Sequence, residues 1–277
     1  MNVLLFHGER LLKEDELCNT KDRSQYKADG RVHEQERDLS KLWLKYQTKI
    51  AMFGMENQTA ADSAMPLRII SYDGASYRAQ YHSGKPSKQS KQQSADSYYP
   101  VITLVLHFGY EHRWNKAQKL SDLIDVPDMV RPYFQDYQIN VFDIAYLTDE
   151  QLTMFQSDFK IVADYFVQMQ RNGGNYVPST YEIHHVDEVL KLMSVLTNDN
   201  RFEEMENDLI AEGGKITMCE VLDRVEQRGI ERGIAQGIEQ GKKSILIELV
   251  LNGIITIEQA AQKAGVDVDT FRKNIES

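Results

Sequence analysis

The sequence predicts an α/β (α+β) protein: a small mixed sheet with flanking helices, followed by an all-helical tail. Three observations carry that prediction. Short apolar runs at Ile50 to Met55 and at Val101 to Phe108 are bounded by polar or turn residues, as buried strands are. The elements between His33 and Tyr146 read in the order strand, strand, helix, strand, strand. From Asp149 onward the apolar positions recur only at helical spacing. The chain therefore divides into a core (1–148), a helical extension (149–215) and a tail (216–277).

Asn2 to Phe6 reads as the end of a helix, stopped at His7-Gly8. Glu9 to Arg31 is polar and is expected to wrap the surface, with a short helix around Leu17. His33 to Trp43 is an extended segment that carries Asp38. Ile50 to Met55 is a central strand. Met65 to Tyr81 is an amphipathic helix, although Gly74 in its interior costs about 1 kcal/mol relative to alanine. His82 to Ser97 is a loop rich in Lys, Gln and Ser. V-I-T-L-V-L-H-F is the clearest strand, closed by Gly109. Trp114 to Leu123 reads as a short helix and Tyr137 to Tyr146 as a strand. Helices follow at Asp149 to Arg171, Ser179 to Thr197, Asn200 to Glu212 and Thr217 to Lys243. Leu246 to Ile275 is expected to form a helix, a turn, a helix and a short last helix, with Thr256 as a cap and a later helix starting near Asp267.

The 277 residues carry a net charge of −10, and 42% of them are hydrophobic. That balance suits an ordinary globular protein. It argues against one that coats nucleic acid without sequence preference, because phosphate neutralisation dominates that affinity. It leaves room for a nuclease, whose acidic site needs only a local basic rim. Cys18 and Cys219 make neither a disulfide framework nor a zinc spacing, and a reducing cytoplasm fits. No apolar run approaches the length that spans a bilayer, and the first residues do not read as a signal peptide.

Asp38 precedes one extended segment and Glu56 ends the next, with Gln58 two places on. Two carboxylates delivered by neighbouring strands can hold Mg²⁺, a hard cation that takes one or two carboxylates plus waters and phosphate oxygens. The competing reading is that Asp38 follows Arg37 on a solvated face and that Glu56 merely ends a strand. Arg68 and Tyr72 share a helix face and could reach a nucleic acid strand. A packing tyrosine beside a solvated arginine is the better reading of that pair. Arg78 stands further along the same helix. Lys85, Lys88 and Lys91 could contact phosphates, though a solubilising linker explains them better. No histidine is assigned to metal.

In the tail, Gly229, Gly233, Gly237 and Gly241 recur every four residues, beside Ile230, Ile234 and Ile238. Small residues allow close helix approach, so the stripe suggests a homo-oligomer. A frayed linker helix is the alternative. The last segment resembles a helix-turn-helix, but its second helix is too poor in basic and amide side chains for a groove reader. A small interaction motif fits it better.

The blocks G-R-V-H-E-Q-E-R-D, G-M-E-N-Q-T, M-P-L-R-I-I-S-Y-D-G-A-S-Y and Y-P-V-I-T-L-V-L-H-F-G resemble the Rpn family of recombination-promoting nucleases, also described as YhgA-like transposases. The resemblance implies a PD-(D/E)XK nuclease core, DNA as partner and Mg²⁺ (or Mn²⁺) as cofactor. Asp38 would match the first acid of the motif, Glu56 the second, and Gln58 would stand at the lysine position, where the family often carries glutamine. The resemblance also implies a longer helix ahead of N-V-L-L-F, so a truncated start is expected. The alternatives are a catalytically silent nuclease-fold remnant and a helical assembly protein acting through its Gly/Ile seam.

Overall fold

The computed structural model describes residues 1–20, 23–28, 31–46, 48–83, 98–205 and 215–276. Strands β1 (Leu17–Asn19), β4 (Leu39–Lys45), β5 (Thr48–Gln58), β6 (Val101–His107) and β7 (Asn140–Asp143) lie side by side in that order. β2 (Arg23–Ala28) and β3 (Arg31–Glu36) pair with each other in a separate antiparallel ribbon. The central strand β5 runs antiparallel to β4 and parallel to β6, and β6 runs parallel to β7. A parallel neighbour demands a crossover connection, and helix α2 (Met65–Ser83) lies in the one between β5 and β6. The mixed sheet with flanking helices and a helical tail is the fold class the sequence predicts.

Helix α2 starts where its sequence instructs. The Asp62 carboxylate accepts the Ala64 amide at 2.8 Å, and Pro66 sits in the first turn, where a missing amide is harmless. Met65, Ile69 and Tyr72 share one face and are buried with Val105, Trp114 and Ile139. Burying side chains of this size contributes about 1.5–3 kcal/mol each.

Alternation along the strands gives the sheet two faces. Glu56 and Val105 look toward α2. Phe53, Leu104 and Leu106 look the other way, into a larger core. That core takes in α1 (Asn2–Phe6), α3 (Asp149–Met154), α4 (Phe159–Arg171), α5 (Val186–Thr197), α6 (Arg201–Glu204) and the first turn of α7 (Met218–Leu251). Phe108 meets Phe166 of α4 with ring centroids 5.0 Å apart. A separate small core joins the end of α7 to α8 (Ile257–Ala264) and α9 (Val268–Glu276) around Ala260, Ala261 and Phe271. Thr256 caps α8 as expected, and Asp267 accepts the Thr270 amide at the start of α9.

Several expected elements differ. The stretch from Glu9 to Arg31 holds β1, a three-residue edge strand, and β2, whose sequence lacks apolar alternation, and only a 3₁₀ turn at Glu14–Glu16 precedes Leu17. The extended segment from His33 to Trp43 breaks at Arg37-Asp38, because β3 pairs with β2 while β4 joins the central sheet. β5 is longer than its apolar run, its polar ends being paired to β4 and β6. The expected helix from Trp114 to Leu123 is only a 3₁₀ turn at Leu120–Asp122. The Asp122 carboxylate accepts the Gln118 and Lys119 amides at 2.9 Å and fixes that turn. The strand expected to reach Tyr146 ends at Asp143 and gives way to a 3₁₀ turn. Asp149 to Arg171 is two helices, α3 and α4. The helix placed from Ser179 begins only at Val186, because Asp158 binds the His184 and His185 amides and holds the chain extended there. The helix expected over Asn200 to Glu212 is described only as α6, its later part lying outside the described residues. α7 runs on to Leu251 and absorbs the expected first helix of the tail.

Candidate metal centre

Glu56 lies near the C-terminal end of β5 on the face covered by α2. Its side chain is 1% exposed. Register places Met55 opposite Leu39, so Asp38, one residue before β4, stands beside Glu56. The Asp38 carboxylate accepts the Asn57 amide at 2.6 Å, which fixes it there while leaving it solvent-exposed. Gln58 is half-buried and shares the Glu56 face by strand alternation.

Arg68 reaches down from α2. Its guanidinium is 3.0 Å from one Glu56 oxygen and 3.1 Å from Asp62. The other oxygen, Glu56 Oε1, is buried without a hydrogen-bond partner. Burial, reinforced by the nearby Asp38 charge, pushes the Glu56 carboxyl up to about 7, although Arg68 and Arg37 pull the other way. An unpaired buried acceptor is costly and the tension is relieved by a proton or a cation.

Beneath this pair is a second buried group that sequence reasoning missed. Arg37 is not solvated but 3% exposed. It donates to Asp73 of α2 at 2.5 Å and to Ser76 at 3.3 Å, and it lies 5.5 Å from the centre of the Tyr72 ring. Asp73 also accepts from Thr103 of β6 at 2.6 Å and from the Tyr137 hydroxyl. Burial and the Asp73 carboxylate push the Tyr137 phenol up. The signal for Asp73 was present. Met65, Ile69, Tyr72 and Asp73 stand at positions i, i+4, i+7 and i+8, so an acid occupies the core stripe of α2.

The remaining expected site residues separate into groups. Arg68 and Tyr72 do share a face, but Arg68 is committed to the two carboxylates and Tyr72 is buried. Arg78 is exposed, ten residues or about 15 Å further along the helix. Lys85, Lys88 and Lys91 lie outside the described residues. Gly229, Gly233, Gly237 and Gly241 line α7 with open space around each. Ile230, Ile234 and Ile238 beside them are 49%, 58% and 53% exposed. His107 is buried at the end of β6, with Nδ1 2.8 Å from Asp143.

Residues 46–177, just under half of the chain, match the family model described as "Putative transposase, YhgA-like". Over this segment the chain is similar to the YhgA-like putative transposases. The match includes Glu56, Gln58, α2 and β6, and Asp38 lies ahead of it. The match suggests a transposase-type role on DNA. No curated protein matches, and no solved structure does. Among the described residues no helix is long and apolar enough to cross a membrane.

The donor set suits a hard cation held sparingly. Among the described residues, no three His, Cys, Asp or Glu side chains converge into a ready-made cage. Mg²⁺ typically keeps several waters and takes one or two carboxylates plus substrate phosphate. Asp38, together with the orphaned Glu56 Oε1, provides that pattern.

Proposed function

We propose that the chain is a metal-dependent DNA endonuclease of the recombination-promoting type, hydrolysing phosphodiester bonds. The observation that carries this reading is the buried, unpartnered Glu56 Oε1 beside Asp38, supported by the putative-transposase match over residues 46–177. A divalent Mg²⁺ or Mn²⁺ ion held by Asp38 and Glu56 would neutralise the scissile phosphate and make a bound water more acidic. Gln58, at the position where the related motif has lysine, orients the attacking water by its amide but cannot accept its proton. Arg68 balances the Glu56 charge from the α2 side. Arg78, exposed further along α2, would supply a phosphate contact on the substrate strand, and Lys85 and Lys88 are candidates for others. The exposed Ile230, Ile234 and Ile238 row and its glycine groove pair α7 with a second copy, giving two sites for two strands.

A silent remnant that binds DNA or protein is the second reading. The Arg68–Glu56 ion pair favours it, because a cationic guanidinium already serves the carboxylate that a metal would need.

Cleavage of supercoiled plasmid by purified protein separates the two readings. Nicking that requires Mg²⁺ or Mn²⁺, stops with EDTA and is lost in Asp38→Ala and Glu56→Ala is the expected result. A folded wild type that leaves plasmid intact with either ion overturns the nuclease reading.

A further inference from the structure

The Arg37–Asp73 pair joins every element that bears on the candidate site. Arg37 immediately precedes Asp38. Asp73 belongs to α2, the helix that carries Arg68. Thr103 lies on β6, and Tyr137 precedes β7. Gly54, two residues before Glu56 on β5, completes the arrangement: a Cβ there would meet Arg37 Cδ and an Arg37 terminal nitrogen at 3.1 Å and Thr103 Oγ1 at 2.8 Å. The glycine therefore admits the guanidinium between β5 and α2. Opposite it in the ladder is Ser40, which is buried, so the channel opens inward rather than to water.

We propose that Arg37 and Asp73 are positioning residues that hold the Asp38 carboxylate against Glu56, and that this lock sets the affinity of the site for a divalent cation. The proposal rests on the nuclease reading for its cation, but its geometry does not depend on it. The Asp38 carboxylate has one described hydrogen-bond partner, the Asn57 amide, its backbone N–H faces the Glu56 carboxyl, and the residue sits between a ribbon that leaves the sheet and a strand that enters it. A carboxylate so exposed needs its backbone fixed from the neighbouring residue. Arg37 does this through a buried carboxylate that itself takes three side-chain donors, Arg37, Thr103 and Tyr137. Outer partners of this kind orient ligands, and their loss typically weakens metal binding about 10–100-fold.

A buried ion pair is poor evidence for a stabilising role, because apolar replacements of similar volume are often neutral. That fact supplies the test. The double variant Arg37→Met/Asp73→Leu removes the lock and keeps the volume filled. Two readouts are taken beside wild type, Asp38→Ala and Glu56→Ala: Mn²⁺ affinity by calorimetry, and hydrogen exchange at the Asn57 amide without metal. The expected result is a folded double variant that binds Mn²⁺ at least about tenfold more weakly, with faster Asn57 exchange. Unchanged Asn57 exchange and unchanged Mn²⁺ affinity would overturn the lock and leave the pair purely structural. A wild type that binds no Mn²⁺ would sink the nuclease reading instead, and Asn57 exchange would still decide the lock. Should the double variant not fold, Tyr137→Phe removes one donor from Asp73 and keeps the ion pair. It should shift both readouts the same way by a smaller factor, and no shift in either would overturn the proposal.

Discussion

Removing the Glu56 charge should change how stability depends on pH, and the structure gives both sign and size. The Glu56 carboxyl is held up to about 7 in the folded protein, from an ordinary value of 4.5. Between those values the folded state keeps a proton that the unfolded state has released. Protonated Glu56 therefore contributes stability that is complete below the unfolded value and is lost as pH rises through about 7. A rise of that size corresponds to about 3 kcal/mol. Glu56→Gln cannot ionise and should not show this loss. Urea unfolding of both proteins in EDTA, from pH 5 to pH 8, isolates the effect, because other groups titrate equally in the two. Wild type should fall relative to the variant by up to about 3 kcal/mol across that range. Saturating Mg²⁺ should restore wild type at the alkaline end and leave the variant unmoved. Parallel curves without metal would refute the reasoning and mean that Arg68 and water already satisfy the carboxylate.

Other perturbations test separate parts of the account. Gly54→Ala places a methyl against Arg37 and Thr103, and should lower unfolding free energy by about 1–3 kcal/mol in urea titration; no loss would mean that the channel can widen freely. Phe271→Ala empties the small terminal core and should cost about 3–5 kcal/mol there. Hydrogen exchange should then rise in α8 and α9 while β5 and β6 stay protected, and equal loosening of the sheet would contradict two separate cores. Ile230→Ser/Ile234→Ser/Ile238→Ser should shift sedimentation from an oligomer to a monomer with the thermal transition of the sheet intact; a wild type that is already monomeric would remove α7 pairing from the account.

How much of this was legible depended on which interactions were local. β6 and α2 announced themselves, since V-I-T-L-V-L-H alternates against two buried faces and M-P-L-R-I-I-S-Y-D carries a first-turn proline and a core stripe. The Asp38–Glu56 juxtaposition was also readable, because a tight β4–β5 pairing brings one end of each segment together. The strands β1, β2 and β3 were not, because β1 is only three residues long and the sequences of β2 and β3 lack the apolar alternation that marks a strand. Trp114 to Leu123 has helical spacing, yet Asp122 binds two amides in a turn, a capture that propensity cannot register. Arg37 looked solvated in sequence. Its partner is 36 residues away, and only the missing Cβ of Gly54 makes room for it. The acid on the core stripe of α2 was the one clue to that buried pair.

The most direct test of the central claim is a crystal of the full chain soaked in Mn²⁺ and measured at a wavelength where manganese scatters anomalously. The account predicts one peak at bonding distance from Glu56 Oε1 and an Asp38 carboxylate oxygen, with Arg68 moved off Glu56 or left on its second oxygen. An occupied Arg68–Glu56 pair with no peak between the two carboxylates would contradict it.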